Sequence, residues 1–533
     1  MVTSLSASAG SGDLFAYGLR AAGLLVVRAP TLQKGEEQRH KILAAALLLA
    51  SFPPSRCPSE ESGTIWLDSE PQAIGTVDGG GADTSPSPDR DQRGRHLHVP
   101  RQGVLWCPRS MSHLTRRRRV AITGLGVIAP NGIGKDEFWR SLVAGRSAVD
   151  FISSFDPSPY PCKIAAEVKS FVPRDFLSNR IAKNAARFSQ FAIAASRLAV
   201  ADSKLSISSS LASETAICYG ASVNGIGDIA DEAARALYRG AGNGVMKPWA
   251  ALEYPSHAAS SYLAIEFGIT GRALSVSSNC CTGIDAIHTA AAYIAAGKAR
   301  VALAGACDAP LFPLSFAAFC ALGALSRRTE EPHRASRPYD LMRDGIVLGE
   351  GAATVVLEDL EGALDRGATV YAEVLGHAAA SEAIGMRKGD IEGQVMAHTL
   401  AAAIADAELA PSDIDHINAH GSSLPDYDTC DTNAFKKALG RHAYSIPVVS
   451  IKSMIGQPVS AAGALQTVCA CLSIAHQVVP PTINQDVPDP QCDLDYVPNR
   501  SRAARIRNVL INGHSFGGSV SALVVGQPAT TTR

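Results

Sequence analysis

The sequence has almost no net charge, no paired-cysteine spacing and no long apolar run. Its 49 lysines and arginines stand against 50 aspartates and glutamates, a formal charge of −1. That balance excludes the broad basic surface with which proteins neutralise a nucleic-acid backbone, so no nucleic-acid partner is expected. Twelve cysteines occur in 533 residues, and no two form a C-x-x-C pair. Neither a zinc site nor a disulfide framework is therefore indicated, and a reduced, cytoplasmic setting fits these thiols. The one apolar run of the first 110 residues, ILAAALLLASF at 42–52, is too short to span a bilayer. It also begins too far from Met1 for an ordinary signal peptide.

The length suggests two or three domains. Residues 1–110 mix Gly, Ser, Pro and Arg runs, such as GGGADTSPSPDRDQRGR at 79–95, without sustained periodicity. They read as a disordered extension, or as sequence that is not translated, because Met111 is the next methionine and the ordered pattern starts just after it. From Arg116 the chain changes character. RRRRVAITGLGVIAPNG is a basic, solvated flank, a buried strand and a Gly-rich loop. Its GLG is not a dinucleotide loop: the third glycine is missing and Pro130 breaks the helix such a loop would start.

The most informative stretch is Leu274–Lys298, LSVSSNCCTGIDAIHTAAAYIAAGK. It reads as an apolar strand, a turn at Ser277-Ser278-Asn279, and an Ala-rich helix with Ile284, Ile287, Ala291 and Ile294 at helical spacing. Cys280 sits at the corner, where a helix N-terminus favours a thiolate and hence a nucleophile. Cys280 and Cys281 could equally be two small buried hydrophobes on local sequence alone. The series then repeats. Further strands are expected at 301–309 and 345–359, and beyond residue 366 come a strand, a helix at 391–407 and a strand DHINAHGSS at 415–423. PVVSIKSMIGQPVSAAGALQTVCACLSIAHQ at 447–477 is again strand, turn and Ala-rich helix. Two copies of one α/β unit would pack their apolar helices between two sheets. Lys452 and Gln457 then fall on the corner equivalent to that of Cys280, and His420 ends a neighbouring strand. A cysteine and a histidine at related strand ends suit a nucleophile and its acid/base partner.

The motifs VAITGLGVIAPNG, SSNCCTG, RPYDLMRDGIVLGEGAA, NAHGSSLPDYD, VSIKSMIGQPVSAAGA and PPTINQDVPDPQCDLDYVPN occur in this order from about Arg116 to Gly526. In them the chain resembles the β-ketoacyl-acyl carrier protein synthases of types I and II. The resemblance implies a thiolase-like, duplicated αβαβα layered α/β fold, with halves at 111–365 and 366–528 and a tail at 529–533. It implies decarboxylative Claisen condensation of an acyl thioester with a malonyl-carrier thioester, without metal or other cofactor. The nucleophile falls on Cys280, the first family histidine on His420, the lysine on Lys452 and the gating phenylalanine on Phe516, beside an oxyanion hole. Arg180, Lys183 and Arg187 lie where relatives face the acidic acyl carrier protein. A homodimer, or a heterodimer with a related synthase, is implied, and no membrane span.

Four positions depart from that pattern. The second histidine is Gln457, which can donate a hydrogen bond but cannot titrate. The acidic partner of the lysine is Gln466, a pantetheine-holding threonine is Leu424, and the phenylalanine motif reads NGHSFGGSV. These changes leave open a second reading, a weakly active or non-catalytic partner subunit like the chain-length factors, although those lose the nucleophile. A third reading takes Gly513-His514-Ser515-Phe516-Gly517 as the G-x-S-x-G elbow of a hydrolase. No histidine follows Ser515, and SVSALVVG reads as a strand where that elbow needs a helix.

Overall fold

A computed structural model describes residues 118–225 and 250–528, a few positions between those stretches, and three strands between Ala7 and Ala29. These last, Ala7–Gly10, Asp13–Arg20 and Gly23–Ala29, form a small antiparallel sheet by themselves. The remainder of 1–110, and the tail 529–533, lie outside the described residues.

The main sheet is built twice from one plan. Its first five strands are β1 (Val120–Ala129), β2 (Thr215–Gly220), β3 (Ala273–Val276), β4 (Val301–Asp308) and β5 (Gly351–Asp359). The next five are β6 (Ala372–Ser381), β7 (His416–Asn418), β8 (Val448–Val449), β9 (Asn508–His514) and β10 (Ser519–Gly526). Across the sheet they run β3-β2-β4-β5-β1 and then β6-β10-β9-β7-β8, so each half mirrors the other about the β1–β6 pair. In each half the outer three strands are parallel and the remaining pairings antiparallel.

Six helices follow the same duplication: α1 (Arg187–Ser203), α2 (His257–Phe267), α3 (Thr282–Ala295), α4 (Gln394–Asp406), α5 (Pro425–Leu439) and α6 (Ala461–His476). Alternation along the strands sorts them into layers, because successive side chains face opposite sides. Val355 of β5 and Leu523 of β10 point into a central core with Ile284, Ile287 and Ile294 of α3 and Leu465 and Val468 of α6. Val356 points the other way, onto Phe188 and Phe191 of α1 and Leu263 of α2. Leu510 and Val524 likewise cover Leu400 of α4 and Phe435 of α5. The result is helix, sheet, helix, sheet, helix, as expected from the duplicated pattern.

The two central helices touch backbone to backbone at their N-termini. A Cβ at Gly283 would lie 2.4 Å from the Ala464 nitrogen, and one at Gly463 would lie 2.8 Å from the Ile284 nitrogen. Only glycine permits that approach. It brings the corner before α3 against the corner before α6.

One helical stretch is interrupted. The stretch 180–203 is broken at Ala185 and Ala186, both extended, into a short helix Asn179–Asn184 and α1. The Ala186 N–H donates to Glu253 Oε2 at 3.0 Å, and the Gln190 amide donates to the Ala182 and Ala185 carbonyls. These side chains satisfy the groups that a continuous helix would have paired. Among the described residues no helix is long and apolar enough to cross a membrane.

Candidate active site

The chain leaves β3 at Val276, passes through Asn279 with φ of 54°, makes a 3₁₀ turn over Asn279–Cys281 and enters α3 at Thr282. The turn is fixed by its neighbours. Ser278 donates its N–H to Thr282 Oγ1 and its hydroxyl to Asp285, and Asp285 also accepts from the Ser521 hydroxyl of the second half. The adjacent cysteines part here. Cys281 is fully buried in the β9–β10 hairpin: its Sγ donates to the Ser519 carbonyl at 3.3 Å and its N–H to Ser515 Oγ at 3.1 Å. Cys280, 6 % exposed, turns instead toward residues of the second half.

Gln457 reaches it first. Its Nε2 lies 3.6 Å from Cys280 Sγ and donates to it, while its Oε1 is buried without a partner. The backbone of Gln457 is locked, its N–H on the Val347 carbonyl and its carbonyl on the Gly349 N–H. The resemblance puts Gln457 in the place of the second histidine, and here its amide donates to the sulfur. Lys452, fully buried, donates to the His420 carbonyl at 2.6 Å and to Gln466 Oε1 at 3.2 Å. Glutamine suits position 466 because its amide nitrogen donates to the Asn418, Ala419 and Asn512 carbonyls. A carboxylate there would face those three oxygens without a proton.

His420 is held by its surroundings. Its N–H donates to Asn512 Oδ1, and its Nδ1 accepts from the His514 N–H at 3.3 Å, which puts the ring proton on Nε2. The loop after it hangs on two acids of α5. Asp431 accepts from the Gly421 N–H, the Tyr339 hydroxyl and Asn512 Nδ2; Asp428 accepts from the N–H groups of Ser422, Ser423 and Tyr339. At the end of β4, Asp308 collects the N–H groups of Ser222, Val223 and Asn224 together with that of Ser460, at the start of α6. It staples the two halves beside the site. Sequence reasoning passed over all three acids, because an aspartate near a helix start or at a strand end usually reads as solvated.

The site is buried, and burial sets its charges. Burial pushes the Cys280 thiol up to about 12, with Lys452 pulling the other way and Asp308 adding to the rise. The helix end expected to favour a thiolate is outweighed by that burial, so the resting group is a thiol. Burial also brings Lys452 down to about 8, while Cys280, Asp431 and Asp428 act to keep its proton on. His420 is driven well below the ordinary histidine value by burial, Lys452 and His514, and is a neutral Nε2–H donor.

Phe516 caps the site in the turn between β9 and β10, edge-on to Tyr427 with centroids 5.6 Å apart and packed in one cluster with Leu424. The hydrolase reading fails here. Ser515 lies in a strand-to-strand turn, accepts from the Cys281 N–H and donates to the Ser278 carbonyl. Of the three basic residues expected to dock a carrier, Arg180 and Lys183 lie exposed on the short helix. Arg187 is committed inward: it makes a bidentate pair with buried Glu350 at 2.6 and 2.8 Å and stacks over Phe191. It stands only a few residues after the other two, but its partner lies 163 residues away, beyond any local pattern.

Residues 117–363 match the family model "Beta-ketoacyl synthase, N-terminal domain", and residues 371–486 match "Beta-ketoacyl synthase, C-terminal domain". The chain is 41 % identical over 419 residues to the tetracenomycin polyketide synthase ketoacyl synthase alpha subunit of Streptomyces glaucescens, covering 78 % of this chain and 98 % of that one. It is 40 % identical over 411 residues to 3-oxoacyl-[acyl-carrier-protein] synthase 2 of Coxiella burnetii, covering 77 % and 99 %. Among solved structures it is similar to a type II polyketide synthase acyl-carrier protein in complex with its ketosynthase bound to the hexaketide. That likeness has a TM-score of 0.70 at 34 % identity and covers 77 % of this chain and 99 % of that one. With the duplicated layers and the cysteine corner in place, the chain belongs to the β-ketoacyl synthase family.

Proposed function

We propose that this condensing enzyme carries an acyl group on Cys280 and extends it with a malonyl unit delivered by acyl carrier protein, as a type II synthase of fatty acid or polyketide assembly. The observation that carries this reading is the meeting of Cys280 Sγ with the Gln457 amide in a buried chamber lined by neutral His420 and by Lys452. The Cys280 sulfur attacks the acyl thioester. Its proton passes to the departing carrier sulfur, so the carrier is released as a thiol, with the Gln457 N–H and the Lys452 charge stabilising negative charge on sulfur. Backbone N–H groups of Cys280 and Phe516 hold the oxyanion. Malonyl thioester then loses carbon dioxide, and the electron pair passes to its thioester oxygen, which the His420 Nε2–H stabilises. The enolate carbon attacks the acyl group, the bond from that group to sulfur breaks, and Cys280 leaves as a thiolate that takes a proton from solvent. The partner-subunit reading is disfavoured because Cys280 is present and faces the chamber.

We also infer a catalytic body of two halves, 111–365 and 366–528, assembled as a dimer. Arg180 and Lys183 offer a basic landing site for an acidic carrier, as the relative solved with its carrier suggests. The direct test is peptide mass spectrometry after incubation with an acyl-carrier thioester. The acyl group is expected on Cys280, lost in Cys280→Ala and kept in Cys281→Ala. Labelling that survives Cys280→Ala but disappears in Cys281→Ala would overturn the assignment.

A further inference from the structure

Tyr427 lies in the first turn of α5 and is used by no step above. It is 3 % exposed, and its hydroxyl is buried without a hydrogen-bond partner. A phenol O–H stripped of water and left unpaired weakens a fold, so such groups are uncommon unless something outside the protein completes them. The ring has little freedom to find a partner of its own. It is held edge-on by Phe516 at 5.6 Å and packs against the His514 ring at 4.2 Å. Gly389 covers its far side, where a Cβ would come within 3.5 Å of the Tyr427 ring.

The ring stands beside the site, between His420 and Phe516. After burial itself, the group acting most strongly on the phenol is the Cys280 sulfur, and both push its ionisation above the ordinary tyrosine range. It therefore keeps its proton and remains a donor. The His420 ring, which carries the Nε2–H donor, lies 6.3 Å away between centroids. One proton of the Gln457 amide is engaged on Cys280 Sγ, which holds that amide against the sulfur.

We propose that the Tyr427 hydroxyl is the second hydrogen-bond donor, beside His420, to the malonyl thioester oxygen that becomes the enolate oxygen during decarboxylation. In that step the bond between the α-carbon and the carboxylate breaks. Carbon dioxide departs, and the electron pair moves onto the thioester oxygen. Tyr427 keeps its proton throughout and stabilises the new charge. The inference rests on the condensing reading and assigns a further catalytic residue to it.

The variant Tyr427→Phe removes one oxygen and leaves the ring contacts intact. Three quantities are measured on the full chain: acylation of Cys280 from an acyl-carrier thioester, decarboxylation of a malonyl-carrier thioester, and thermal stability. Acylation should stay within about twofold, whereas the decarboxylation kcat should fall by roughly 10²-fold, the usual effect of losing one donor at a developing oxyanion, with KM little changed. Stability should be equal or higher, since an unpaired buried hydroxyl is gone. Unchanged decarboxylation in Tyr427→Phe, with wild-type protein active in both steps, overturns this inference alone. Equal losses in acylation and decarboxylation also overturn it, by exposing a packing role. Wild-type protein that performs neither step overturns the condensing reading and this one with it.

Discussion

Lys452 holds its ammonium between two oxygens of no formal charge, the His420 carbonyl and the Gln466 amide. That choice has a measurable consequence. The folded chain releases this proton near pH 8, whereas an unfolded lysine keeps it to about 10.5. Between those values the unfolded chain binds a proton that the folded one lacks, so this residue's contribution makes folding more favourable as pH rises. The stability of wild type relative to Lys452→Met should therefore grow between pH 8 and 10 in denaturant titrations. A difference independent of pH would show that the lysine is not held in this state. Cys280, His420, Lys452 and Gln457 were legible because each stands in a motif whose order along the chain is distinctive. Tyr427 and Asp428 were not, although they close the same NAHGSSLPDYD motif as His420, and neither was Asp431 one turn further on. An acid near the start of a helix ordinarily favours the dipole from solvent. These two are fully buried and accept backbone N–H groups of the His420 loop instead.

At the level of elements, the sequence showed where strands and helices lie better than where they stop. The stretch 415–423 reads as one strand, yet only His416–Asn418 pairs in the sheet. Its continuation is claimed by Asp428 and Asp431, which take the N–H groups of Gly421, Ser422 and Ser423 that a neighbouring strand would have used. The break at Ala185 has the same origin, a distant carboxylate competing for a backbone donor. Where the apolar period dominates, as in α3 and α6, expectation and structure agree. The contact between these helices leaves no room for a methyl group, because the nearest atoms at Gly283 belong to the Ala464 backbone. Gly283→Ala should therefore lower stability by about 1–3 kcal/mol, the usual cost of overpacking. Thermal unfolding with Gly367→Ala as a control reads this out: nothing lies near a Cβ at Gly367, but its φ of 70° strains any side chain, so the control isolates strain from crowding. Equal effects would remove the packing argument.

For the whole molecule, near-neutral net charge conceals a local asymmetry. Arg180 and Lys183 are exposed on the short helix before α1, whereas Arg187, three residues beyond it, is spent on Glu350. If an acidic carrier lands here, reversing both exposed charges (Arg180→Glu with Lys183→Glu) should raise the apparent KM for the carrier severalfold. It should also flatten the dependence of that KM on salt, because screened attraction is what the two cations supply. Acylation by a small thioester that carries no protein should be unaffected. An unchanged KM for the carrier would place the landing site elsewhere. The duplicated architecture was readable from the repeated strand, corner and Ala-rich helix. The staple that joins the copies, Asp308 reaching the Ser460 N–H, was not, since a lone aspartate after a buried strand announces no partner.

The central layer also shapes how the chain comes into being. The apolar face of α3 is covered by α6, which starts roughly 180 residues later in the chain. On a ribosome adding about 5–20 residues per second, that face waits on the order of ten seconds or more for its cover. During that interval Ile284, Ile287 and Ile294 are open to any neighbouring apolar surface. Nascent first halves are thus the species most prone to aggregate, and slowing translation between the two copies should lower the soluble yield of an enzyme whose finished form hides those residues completely.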